Sequence, residues 1–217
     1  MKLKQVVLFI LFLVVIDQAI KFYIKTNFYY GEEHKVFGLN WFRLHFIENS
    51  RMAWGWKLGK GDIAKVALTL FRLIAVIWGS FYIKKIISKN YHKGFIICVA
   101  FIYAGALGNL IDSLFYGLIF ENSDPDLENI ARAFSSNGGY AGLMYGRVVD
   151  MWYFPLINTT LPSGLPIWAG KHFEFFQPVF NTADVWVSTG VITLLIFQKR
   201  FLKKKVNIES DWQPDHR

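Results

Sequence analysis

An all-α membrane protein with four transmembrane helices, a small external β element and a long external loop is the fold class this sequence predicts. Three observations carry it. The 217 residues are 53% hydrophobic and 18% aromatic, too apolar for an ordinary soluble domain. Four apolar stretches, about 4–24, 63–87, 94–116 and 183–202, each have the roughly twenty residues that a helix needs to cross a hydrocarbon core. Lys and Arg gather beside them in a pattern: Lys2 and Lys4 before the first, Lys84, Lys85, Lys89 and Lys93 between the second and third, and "QKRFLKKK" after the fourth. An excess of these residues marks cytoplasmic segments. Both termini, including a basic tail over 199–217, and the short loop between the second and third spans are therefore expected inside, with 25–62 and 117–182 outside. The chain, 1–217, reads as a single integral membrane domain. Its net charge of +8 lies beside apolar runs, so a membrane rather than a nucleic acid is the expected neighbour.

Each element has its own local signature. "MKLKQVVLFILFLVVIDQAIKF" begins like a signal peptide, but it lacks a small-residue cleavage site and continues through Asp17, which predicts a retained first span. In the first external loop, "NWFRLHFIEN" sets Phe42, Leu44 and Phe46 between Arg43, His45 and Ile47, the period of two of a half-buried strand. "LGKGD" then reads as a turn, with Asp62 capping the second helix. That helix carries Lys65 and Arg72, whose long stems reach an interface by snorkelling. Gly117 fits a C-terminal cap of the third. The second external loop opens with a polar, Gly/Ser-rich surface insertion over about 119–147 and continues into the aromatic "HFEFFQPVF", suited to a membrane interface.

Ionisable residues at the edge of a bilayer are costly, so each is a candidate for function. Asp17 and Lys21 stand four apart with the acid first, as an intrahelical ion pair requires; a structural and a catalytic role remain equally open. Gly105, Gly108 and Asp112 share a face of the third helix, beside Asn109. The glycines read as packing positions, whereas the amide and carboxylate could orient a reacting group. Asp150 in "RVVDMWYFP" is an ordinary loop aspartate or, given its apolar flanks, a carboxyl in a setting that raises its pKa. Asn181 and Asp184 in "FNTAD" have the spacing of a capping box, and an acid in the first turn suits the helix dipole.

Other chemistries find little support. Cys98 is the single cysteine, the five His are scattered, and no H-E-x-x-H, G-x-S-x-G or Gly-rich phosphate loop occurs. An intramembrane ion or small-solute carrier and a Mg²⁺-dependent membrane phosphatase remain as alternatives; polar residues gathered on one side of the bilayer favour a site over a path.

The segments "DQAIK", "ENSRMAWG", "GALGNLID", "VVDMWYFP" and "FNTAD", in this order on four spans, resemble the lipoprotein signal peptidases (signal peptidase II). The resemblance covers nearly the whole chain apart from the insertion and the tail. It implies a multi-pass aspartyl protease of the bacterial cytoplasmic membrane, with its site near the outer face. Such an enzyme removes the signal peptide of prolipoproteins just before a diacylglyceryl-modified cysteine. Neither a metal nor an organic cofactor is implied, and no oligomer is required. Matched by motif, Asp150 and Asp184 would be the catalytic pair. Asn109 and Asp112 match G-N-x-x-D, Asn49 matches the first position of N-x-G-x-A-F, Asn181 the Asn before the second catalytic Asp, and Asp17 and Lys21 D-Q-x-x-K; these would support the pair or contact substrate. There are departures. Arg51 stands for the usual Gly, Trp54 for Phe and Ser113 for Arg, and Asp112 and Asp150 are 38 positions apart (150 minus 112) because of the insertion. Arg147, beside the "VVD" element, is the residue expected to supply the charge missing at 113.

Overall fold

The computed structural model describes residues 1–49, 61–124, 126, 128–155, 157–160, 172–175 and 178–201. The expectations for Arg51, Trp54 and the "LGKGD" turn, the Asp62 cap included, lie outside the described backbone or side chains, as does most of the basic tail.

Four helices run through the four apolar stretches: α1 (Leu3–Asn27), α2 (Gly61–Ser88), α3 (Lys93–Ile119) and α4 (Thr182–Phe201). Three of them, α1, α2 over Ile63–Ser88 and α3, are long and apolar enough to cross a membrane. The 20-residue α4 is not among these, because Asp184 at its start and Lys199 and Arg200 at its end shorten its apolar stretch. The outward faces are apolar. Leu8, Phe12 and Val15 on α1, Phe71, Ile74, Trp78 and Phe81 on α2, and Ile192, Leu195 and Ile196 on α4 are all exposed, an arrangement suited to hydrocarbon and not to water.

The interior packs through small residues. A Cβ at Gly105 would collide with the Ala183 carbonyl, and one at Gly190 with the Cys98 carbonyl, so α3 and α4 approach at backbone distance. Around this seam Val6, Ile10, Leu13, Ile83, Ile86, Ile96, Ala100 and Ala104 form the main apolar core.

Above one end of the bundle lies an antiparallel sheet of four strands, β1 (Glu33–Lys35), β2 (Arg43–Asn49), β3 (Val148–Tyr153) and β6 (Val179–Phe180), in the order β1-β2-β3-β6. A separate pair joins β4 (Ile157–Thr160) to β5 (His172–Phe175). The half-buried strand expected from the alternation in 40–49 is β2. Its pairing with β3 slips by one residue, Leu44 opposing Trp152 but Ile47 opposing Asp150, which places a bulge beside Asp150. Trp41, Phe42, Phe154 and Phe180 stack in sequence over the far end of the sheet.

Two expectations are corrected. Gly117 does not cap α3: the helix continues to Ile119, with Phe120 as its cap residue, and the Gly117 carbonyl accepts a hydrogen bond from Ala141 N–H. The insertion is more than a surface excursion, for it folds back along the C-terminal end of α3. Phe134 N–H bonds to the Ile119 carbonyl, Tyr140 N–H to that of Phe120 and Gly146 N–H to that of Ser113, burying Phe120, Ser123 and Ala131. At its root is an ionic knot. Glu48, its side chain 1% exposed, pairs with fully buried Lys25 and with Arg147 at 3.1 Å, and Lys25 also donates to Ser123 Oγ at 2.9 Å.

Candidate active site

The C-terminal halves of α1 and α3, α2 around Lys65, Thr69 and Arg72, the first turn of α4, and β3 meet at the sheet end of the bundle, and there the candidate residues converge. Asp17 and Lys21 form the expected pair at 3.0 Å, both fully buried. Lys21 Nζ also reaches Asp112 Oδ2 at 2.7 Å and donates to Asn109 Oδ1 at 2.9 Å. An ammonium only donates, so this contact fixes the Asn109 amide orientation and turns its N–H₂ toward Asp184 Oδ1, 3.0 Å away. Asp17 has a second task, accepting from Ala183 N–H at 2.8 Å and so satisfying an orphan donor in the first turn of α4. Gly108 is small because Asp17 lies where its Cβ would be.

The "FNTAD" capping box forms as its spacing predicts. Asp184 N–H donates to Asn181 Oδ1 at 3.0 Å, and Asn181 N–H to Asp184 Oδ2 at 3.3 Å. Because Oδ1 must accept from the helix, Asn181 Nδ2 faces the other way and donates to Asp150 Oδ1 at 2.7 Å. Fully buried Asn181 thereby holds both carboxyl groups, through its backbone on one side and its amide on the other. Asp184 is half-buried, with N–H donors on both oxygens. Asp150, 3% exposed on β3, has its pKa raised to about 7, first by burial and then by the negative charge of Asp184. It holds a proton that an ordinary aspartate has lost.

The site includes residues that sequence reasoning passed over. Gln18 Nε2 donates to Asp17 Oδ2, the Gly108 carbonyl and Asp112 Oδ1, while its Oε1 accepts from the Tyr116 hydroxyl. The only signal for Gln18 was its place inside "DQAIK". Gly146 lets the strand entrance cross α3, since a Cβ there would collide with the Asp112 carbonyl. Arg72 is corrected from snorkelling to inward-facing: its Nη1 donates to Ser113 Oγ at 2.6 Å. Arg147 does not supply the charge at 113. Its guanidinium is directed to Glu48 and Asn122, held there by the knot beneath the insertion. Asn49, at the end of β2, lines a small cavity with Lys65, Thr69, Arg72, Ser113 and Gly146.

The apolar outward faces of the bundle suit a membrane protein, one whose buried carboxyls gather with the sheet at one end of the helices. Comparison with known proteins makes the class specific: residues 9–200 match the family described as Signal peptidase (SPase) II, and the chain belongs to that family of peptidases. It is 45% identical to a lipoprotein signal peptidase of Porphyromonas gingivalis over 198 residues, covering 91% of this chain and 84% of the relative. A lipoprotein signal peptidase of Amoebophilus asiaticus is 35% identical over 190 residues, covering 86% and 74%. The fold is similar to that of a bacterial membrane enzyme solved by the in meso method, with a TM-score of 0.56 at 22% identity over 95% of this chain and 96% of the other.

Proposed function

We propose that this peptidase is an aspartyl endopeptidase that cleaves the signal peptide of bacterial prolipoproteins before their diacylglyceryl-modified cysteine, with Asp150 and Asp184 as the catalytic pair. One observation carries the assignment: Asn181 bonds both carboxyls while Asp150 is buried and holds its proton up to about pH 7. Two carboxyls in a poorly solvated site divide into one acid and one base. Asp184 is the base. It takes a proton from a water as that water attacks the scissile carbonyl. Asp150 donates its proton to the developing oxyanion and becomes the anion that the Asn181 amide stabilises. Return of protons through the pair releases the amine of the modified cysteine.

Behind the pair, Lys21, Asn109, Asp112 and Asp17 keep Asp184 in place and Asn49 lies toward the substrate side. In this reading α4 is the fourth span, both termini are cytoplasmic and the site opens near the outer face of the cytoplasmic membrane. There the diacylglyceryl chains of the substrate can remain in lipid while the peptide enters beneath the sheet. Exposed apolar faces on α1, α2 and α4 support that placement.

Asp150→Asn and Asp184→Asn should each abolish cleavage of a lipidated prolipoprotein by the purified protein, with EDTA leaving the parent enzyme active. Substantial cleavage by either variant sinks the pair, and loss of activity on chelation points to metal-assisted hydrolysis instead.

A further inference from the structure

We propose that Arg72 is a positioning residue of the site: from α2 it supplies the fixed positive charge against which the carboxyl pair divides its proton. The inference rests on the assignment of Asp150 and Asp184 above. Arg72 belongs to a helix whose other face is apolar and exposed, at Phe71, Ile74 and Trp78, so a cation held inward is costly unless anionic groups face it. They do. Its charge acts on Asp112 first, then on Asp184 and Asp150. The guanidinium Nη1 rests on Ser113 Oγ at 2.6 Å, and that hydroxyl donates to the Asn109 carbonyl at 2.8 Å, so Arg72 is docked beside the residue whose amide holds Asp184.

Among the described residues, the charges around the pair leave this role to α2. From α1 come Asp17 and Lys21, from α3 Asp112, from α4 Asp184, from β3 Asp150, and from α2 Lys65 and Arg72. Glu48 on β2 is bound to Lys25 and Arg147. Lys21 also acts on Asp150, but it is in direct ion pairs with Asp17 and Asp112, so much of its charge is matched there. Among the described residues Arg72 donates instead to a neutral hydroxyl, and none of them neutralises its field at contact before it reaches the pair. A serine at 113 gives it room. Position 113 is also where the resemblance leads one to expect Arg, so a cation is retained at this place while its origin moves from α3 to α2.

The test compares full-length Arg72→Gln, Arg72→Lys and the double variant Arg72→Gln/Ser113→Arg, measuring kcat/KM for a lipidated prolipoprotein from roughly pH 5 to 9. Loss of the cation lets both carboxyls hold protons more tightly, so Arg72→Gln should lower kcat/KM about tenfold or more and move the whole pH profile upward. Arg72→Lys should keep the profile near its original position, and Ser113→Arg should return both rate and profile in the double variant. If Arg72→Gln loses rate with its profile unmoved, or keeps both, the inference is overturned. Asp150→Asn, run in parallel, separates the two claims: an active Asp150→Asn overturns the carboxyl-pair assignment itself, whereas an inactive one with an unmoved Arg72→Gln profile overturns only the role of Arg72.

Discussion

Replacing Asn181 by Ser and by Ala separates its two functions. Its Oδ1 caps α4 through Asp184 N–H, and its Nδ2 holds Asp150 at 2.7 Å. Serine is as good a cap as asparagine, so Asn181→Ser should unfold near the parent temperature, while Asn181→Ala should lose about 1 kcal/mol. Neither replacement can hold Asp150, because the serine hydroxyl is one bond shorter and offers no second polar atom beyond the cap. In the proposed step Asp150 becomes anionic as it gives up its proton, so the amide bond strengthens toward the transition state. A hydrogen bond to a charged group contributes about 1.5–3 kcal/mol, which predicts a fall in kcat of about ten- to a hundredfold for both variants. The amide also favours ionisation of Asp150, so its loss should move the alkaline limb of the pH–rate profile upward. The assay is cleavage of a lipidated prolipoprotein across pH, with thermal unfolding of the same detergent-purified samples. An Asn181→Ser enzyme with parent activity and an unmoved profile would refute the bridging role.

Two further outcomes follow from the same geometry. Asp150 is raised from 3.8 to about 7, so the native state keeps a proton that the unfolded chain releases; the associated stabilisation is full below about 3.8 and is lost as pH rises through about 7. Thermal stability should therefore decline as pH rises from about 4 to about 7 and level off above, cleavage should decline as pH rises through about 7, and Asp150→Asn should flatten the stability dependence between those values. Lys21→Met leaves Asp17 and Asp112 buried without their cation, which should cost about 3–5 kcal/mol in thermal unfolding, and Lys21→Met/Asp112→Asn should recover part of it.

How far the site could be read from the sequence depended on the range of the interactions. Asn181 and Asp184 lie within one helical turn, and their capping box was legible from spacing alone. Asp17 and Lys21 were legible as a pair for the same reason, although the attachment of Asp17 to α4 was not, since the residues it joins are 166 positions apart. The strand around Phe46 showed itself by alternation, but not the bulge opposite Asp150, which depends on the partner strand. Arg72 was misread as reaching for the interface because an apolar helix does not announce which face meets α3. Arg147 was misread for the opposite reason: it stands only three positions before Asp150, at the entrance to β3, yet nearness in sequence does not decide where a long side chain pairs, and Glu48 claims it. Gly117 looked like a terminator, and only the returning insertion explains why the helix passes through it.

The carboxylate of Asp17 that caps α4 also orders events in time. It comes from the first helix, whereas the helix it secures, with Asp184 in its opening turn, emerges from the ribosome after some 180 residues have been made. Until that last helix docks on the first, the base of the proposed pair has neither its helix terminus nor its link through Asn109 to Lys21. Proteolytic competence is thus tied to the docking of α4, and a chain complete through β3 but without α4 carries the acid without its base.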